Sequence, residues 1–136
     1  MAGAIGLGWL GLIVGTGIDL AEPARVQSAV ERYGARFLKR VFTPAEIAYC
    51  ESKRNKFERY AARFAAKEAA FKALGTGWRR GVRWLDVEVS NLPTGQPTLK
   101  LAGRAQEFAA RQGVRRIALS LTHSEQFVLA QVIFED

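Results

Sequence analysis

Arg63-Phe-Ala-Ala-Lys-Glu-Ala-Ala-Phe-Lys-Ala-Leu-Gly-Thr-Gly77 is the stretch on which the reading of this chain turns. Alanine favours helix throughout it, and the glycines at its end supply a stop, so a long helix is expected from about Phe57 to Leu74. On the helical wheel Phe57, Ala61, Phe64, Glu68 and Phe71 share one side. A carboxylate set in a phenylalanine stripe is costly to bury unless a cation or hydrogen bonds compensate it. Lys72, one turn on, offers an ion pair along the helix. The alternative is that Glu68 holds a hard metal ion and leaves Lys72 to meet phosphate. Gly75 and Gly77 terminate the helix or aim backbone N–H groups at an anion. They do not form a Walker motif, because the lysine precedes the glycines.

Upstream, Leu12–Leu20 reads as a strand, with Ile13, Gly15, Gly17 and Asp19 on one face by period-two alternation. Two glycines beside an acid leave the backbone open to close approach by a bulky group. Asp19 then either caps the following helix or joins Glu68 around Mg2+, whose other positions water and a substrate phosphate would fill. Pro23 opens a helix to about Tyr33, Gly34 interrupts it, and a short piece covers Ala35–Val41. Thr43-Pro44-Ala45-Glu46 is a capping box that starts a helix running to about Ser52. Downstream, strands are expected at Arg83–Ser90 and Thr98–Leu101 around the turn Asn91–Pro97, then a helix over Ala102–Gln112. Strands Arg116–Thr122 and Phe127–Phe134 should form a hairpin through His123–Gln126. The class is α+β, a mainly antiparallel sheet packed with a long central helix.

A length of 136 residues fits one domain. Residues 1–10 read as an N-terminal extension and 11–136 as the domain. The uncharged start lacks the positive region of a signal peptide, and its glycines make a poor membrane helix, so the cytoplasm is expected. Cys50 is the only cysteine, which excludes an internal disulfide framework and a cysteine zinc site. His123, the sole histidine, is a hydrogen-bonded turn residue or a phosphate contact. Twenty Lys and Arg against thirteen Asp and Glu give a net charge of +7, which attracts polyanions. Arg25 and Arg32, followed by Arg36, Lys39 and Arg40, make a positive ridge if Gly34 bends the chain only slightly. Its apolar flank of Val26, Val30 and Phe37 suits an acidic helix. A non-catalytic nucleic-acid-binding module is the competing reading, disfavoured by the lack of an aromatic RNA-binding motif or zinc finger. A structural oligomer with Glu68 and Lys72 as a helix staple is a third.

Three motifs in order, Gly15-Thr-Gly-Ile-Asp-Leu20, Arg63–Gly77 and Ser120-Leu-Thr-His-Ser124, resemble the signatures of the bacterial holo-(acyl-carrier-protein) synthases. These are the short type of 4'-phosphopantetheinyl transferase, and the likeness covers about Leu12 to Phe134. It implies transfer of 4'-phosphopantetheine from coenzyme A to a serine of apo acyl carrier protein, with adenosine 3',5'-bisphosphate released. By the same resemblance Asp19 and Glu68 match the magnesium-binding acids and Lys72 the phosphate-contacting lysine, the three being the catalytic set. Arg63, Gly75, Thr122 and His123 match positions lining the coenzyme A pocket, and Pro97 a turn near the adenine. Arg25 and Arg36 match basic positions that meet the carrier protein. A homotrimer with active sites between subunits is implied as well.

Overall fold

The computed structural model describes residues 11–77 and 79–136; the extension expected over residues 1–10 lies outside them. The order is β1 (Ile13–Ala21), α1 (Pro23–Tyr33), α2 (Ala35–Val41), α3 (Pro44–Glu51), α4 (Lys56–Leu74), a 3-10 turn (Trp84–Asp86), β2 (Val87–Asn91), β3 (Pro97–Leu101), α5 (Gly103–Arg111), β4 (Arg116–His123) and β5 (Val128–Glu135). All strand pairs are antiparallel, in a three-stranded sheet ordered β1-β5-β4 and a separate β2-β3 hairpin. The α+β expectation holds.

α4 is the axis of the molecule. Ala61, Ala65, Ala66, Ala69 and Ala70 are wholly buried along it. Side chains this small let a helix lie close on a sheet, and β1 answers in kind. A Cβ at Gly17 would overlap the carbonyl oxygen of Ala69, and one at Gly15 that of Ala73. The room left by the two glycines is therefore filled by the helix backbone, not by a ligand. The inner face of the sheet continues through Ala130, Val132 and Phe134 of β5, all wholly buried. Ile13 departs from its expected face: a register shift between Ile13 and Gly15 turns it outward, and it is 63% exposed. The outer face, with Ile18 and Leu20 on β1 level with Gln131 and Leu129 on β5, has no layer over it among the described residues.

The strand expected at Arg83–Ser90 begins only at Val87. Asp86 accepts a hydrogen bond from the Arg83 backbone N–H (3.0 Å), closing a 3-10 turn, and Trp84 stacks on Phe64 with ring centroids 5.0 Å apart. Local capping and aromatic burial override the strand pattern. Thr43 and Glu46 form the expected capping box on α3. Among the described residues no helix is long and apolar enough to cross a membrane.

Candidate active site

Asp19 stands on the inner face of β1, in register with Ala130 of β5, and is carried to α4 by the close approach at Gly17. Lys72, on the last turn of α4, donates from Nζ to Asp19 Oδ1 and to the Ile18 carbonyl, both at 2.9 Å. The lysine side chain is 53% exposed and the aspartate 18%. Asp19 therefore makes an ion pair, and α1 begins without any side-chain cap. The helix staple considered for Lys72 is not what forms, since the ammonium reaches across to the strand. Glu68, one turn earlier on α4, is half-buried. Burial pushes its carboxyl above the ordinary glutamate range, the negative charge of Asp19 pushes it further, and Lys72 pulls part of the way back. The three side chains thus share one electrostatic neighbourhood.

Two carboxylates that feel each other's charge, with the Lys72 ammonium tying helix to strand beside them, fit a hard dication. Mg2+ commonly takes one or two protein carboxylates and completes its shell with water and phosphate oxygens. No cluster of three His, Cys, Asp or Glu occurs among the described residues, so Asp19 and Glu68 would leave positions for a ligand's oxygens. The glycines at the end of α4 contribute no anion nest. The Gly75 N–H donates to the Phe71 and Lys72 carbonyls (3.1 and 3.0 Å) and the Gly77 N–H to Phe71 (3.3 Å). Both amides are spent closing the helix, and Gly75 has the left-handed φ of 78° that this requires.

Pro97, Thr122 and His123 meet elsewhere. With Asn55, Arg59 and Asn91 they line a cleft of about 560 Å³ between the open edge of β4, the first turns of α4 and the β2-β3 turn. Arg63 lies behind its wall: Nη2 donates to Asn91 Oδ1 (3.0 Å) and the guanidinium sits 4.1 Å from the Tyr49 ring centroid. It is 3% exposed, and its Nε has no hydrogen-bond partner. β5 runs between β1 and β4, which places their axes about 10 Å apart. Thr122 is level with Leu129 and Leu20, on the sheet face opposite Asp19. The lining of that cleft includes none of Asp19, Glu68 and Lys72.

The basic residues also divide. Gly34, with φ 61° and ψ −137°, breaks the helix outright, so α1 and α2 are distinct and no continuous ridge forms. Arg25 lines a cavity of about 310 Å³ with Leu20, Phe37 and Phe64. Arg36 and Arg40 line a trough of about 780 Å³ with Tyr33, Phe37 and Trp84. The two hollows share Phe37 and Phe64.

A model described as the 4'-phosphopantetheinyl transferase superfamily matches residues 15–132. The chain belongs to that superfamily. Among curated relatives, the holo-(acyl-carrier-protein) synthase of Solibacter usitatus is 62% identical over 92% of this chain and all of its own length. That of Koribacter versatilis is 54% identical over the same shares. The crystal structure of the synthase from Neisseria meningitidis superposes with a TM-score of 0.83 at 32% identity, over 92% of this chain and 100% of that one. The Helicobacter pylori synthase, solved in complex with coenzyme A, gives 0.77 at 31% over 88% and 98%.

For this transferase-superfamily chain, sequence reasoning missed one feature of the frame beneath the site. Lys67, wholly buried, pairs with the equally buried Glu46 (2.8 Å) and donates to the carbonyls of Trp84 and Val87. Glu46 accepts from the backbone N–H of Thr43 (2.9 Å) and Val89 (2.8 Å). Burial pulls the Lys67 ammonium below its ordinary range and Glu46 opposes that. The capping box was the available signal, because it gives Glu46 one partner and leaves its second oxygen to be accounted for.

Proposed function

We propose that this protein transfers 4'-phosphopantetheine from coenzyme A to a serine of an apo acyl carrier protein, releasing adenosine 3',5'-bisphosphate. The carrying observation is the convergence of Asp19, Glu68 and Lys72, residues from two of the three family-like motifs, on one side of the β1–α4 contact. Relatives of matching length that carry this activity in their names, one of them solved with coenzyme A, support the reading.

Asp19 and Glu68 would hold Mg2+, which when bound neutralises the pyrophosphate. Lys72 places a second positive charge on the phosphate side. The serine oxygen bonds to the β-phosphorus, the bond from that phosphorus to the bridging oxygen breaks, and the bisphosphate leaves with the electron pair. Glu68, with its raised proton affinity, is the candidate acceptor of the serine proton. Pro97, Thr122, His123 and, behind them, Arg63 would take the adenosine end. Arg63 suits an anionic ligand because it is a buried cation without a carboxylate partner among the described residues. Arg25 and Arg36, each beside an apolar hollow, suit an acidic amphipathic partner.

Because neither acid lines the cleft that holds Pro97, Thr122 and His123, a site completed between subunits is part of this proposal. The outer sheet face, uncovered among the described residues with Ile18 53% and Leu20 52% exposed, supports a trimer that buries it. The test incubates the chain with coenzyme A, Mg2+ and apo carrier protein and weighs the product. The phosphopantetheine mass should appear, vanish with chelator, and vanish in Asp19→Ala and Glu68→Ala. Full turnover in both variants refutes the metal assignment, and no mass gain with wild type refutes the activity. Sedimentation of wild type against Ile18→Lys checks the assembly, with a wild-type monomer ruling out the trimer.

A further inference from the structure

Two lysines five residues apart on α4 both engage carboxylates, yet they are built differently. Lys67 has no exposed surface and three fixed acceptors, so it has nowhere else to go. Lys72 holds Asp19 Oδ1 and the Ile18 carbonyl from a half-solvated position on the final helical turn. The carboxylate it holds is the one that, with Glu68, would hold a hard dication. An ammonium and a dication repel each other strongly at such range, so they compete for that carboxylate.

We propose that Lys72 is a displaceable counter-ion, which competes with the divalent cation for Asp19 and, once displaced, is handed to the phosphate of the incoming ligand. This rests on the metal reading above and adds to it an order of partners. A ligand phosphate gives the ammonium a second station and so relieves the competition. Coenzyme A and the cation then strengthen each other's binding, reciprocally, through the movement of one side chain. The exposed four-carbon stem of Lys72 permits that exchange without disturbing the helix backbone.

The experiment measures Mn2+ binding to the full chain, as the loss of the free-ion electron paramagnetic resonance signal, with coenzyme A absent. Lys72→Met keeps the stem and removes the charge, and its Mn2+ affinity should exceed that of wild type by about tenfold. Adding coenzyme A should tighten Mn2+ more in wild type than in the variant, since only wild type has a competitor to relocate. Melting curves give a second readout: Mn2+ should stabilise Lys72→Met at concentrations that leave wild type unmoved. Lys72→Gln carries the same expectations if the methionine chain fails to fold. Equal or weaker Mn2+ affinity in the neutral variants overturns the proposal while leaving the transferase reading intact, provided that wild type still binds Mn2+ and turns over. Failure of every chain to bind Mn2+, with or without coenzyme A, removes the metal reading and this proposal together.

Discussion

Gly17→Ala is the substitution that probes the site through its foundation. An added Cβ would lie 2.8 Å from the Ala69 carbonyl carbon and 3.0 Å from the Ala73 nitrogen, and would overlap the Ala69 oxygen. All three are backbone atoms, so no side chain can swing aside, and β1 and α4 must separate by roughly 1 Å. Over-packing of this kind costs about 1–3 kcal/mol. Alanine in a strand recovers about 0.5–1 kcal/mol of chain entropy against glycine, leaving a net loss of up to about 2.5 kcal/mol. Turnover should fall much further, because a shift of about 1 Å between Asp19 on the strand and Glu68 and Lys72 on the helix can cost about a hundredfold in rate. The control is Gly113→Ala, at φ 82° with nothing within 4 Å of the added carbon. It should lose about 1 kcal/mol to the left-handed backbone and keep its turnover. Urea melts and the mass assay on both variants decide the matter. A Gly17→Ala chain as stable as wild type and active within about twofold refutes the idea that this contact sets the site.

Glu46→Leu alone strands the buried Lys67 ammonium and should cost about 3–5 kcal/mol, whereas Glu46→Leu combined with Lys67→Met should lose less than the two single losses summed, although the Thr43 and Val89 N–H groups stay unpaired. Chemical denaturation of wild type, both single variants and the double variant measures this, and additive losses would show that the two residues do not act as a pair. Glu68 should titrate above the ordinary value of 4.5, and Asp19→Asn should bring it down by removing a neighbouring charge. Its folded carboxyl binds protons more tightly than its unfolded one, so its contribution to stability falls as pH rises through that window. Carbon-13 NMR of the side-chain carboxyl in metal-free protein follows the titration, and a midpoint at or below 4.5 in wild type contradicts the reading.

The elements that the sequence displays most openly are those with local causes. Thr43, Pro44 and Glu46 satisfy each other within one turn, so α3 starts where their types say it must. Gly75 stops α4 because its backbone alone accepts φ 78° without strain. Asp86 was harder, since it caps its own turn inside a run of strand-favouring residues. Lys67 and Glu46 were invisible as a pair because their partnership spans two helices and a strand, and nothing local distinguishes a buried lysine from an exposed one. At the site, residue types pointed to Asp19, Glu68 and Lys72, but which acid the lysine holds depends on how closely β1 lies on α4. That distance is set by two glycines and two alanine carbonyls, a tertiary fact. The same holds for the separation of Thr122 from Asp19, since β5 enters between their strands from the far end of the chain.

The contrast between Lys67 and Lys72 reaches beyond catalysis. Solvent touches the Lys72 side chain over half its surface and Lys67 not at all. An acetylating or carbamylating reagent therefore meets one of them and passes the other by. Modification at Lys72 would erase a charge at the proposed reaction centre while the buried Lys67 pair stayed whole. On that proposal, chemical damage at this amine leaves a folded molecule without turnover, which an assay of folding alone would pass as sound.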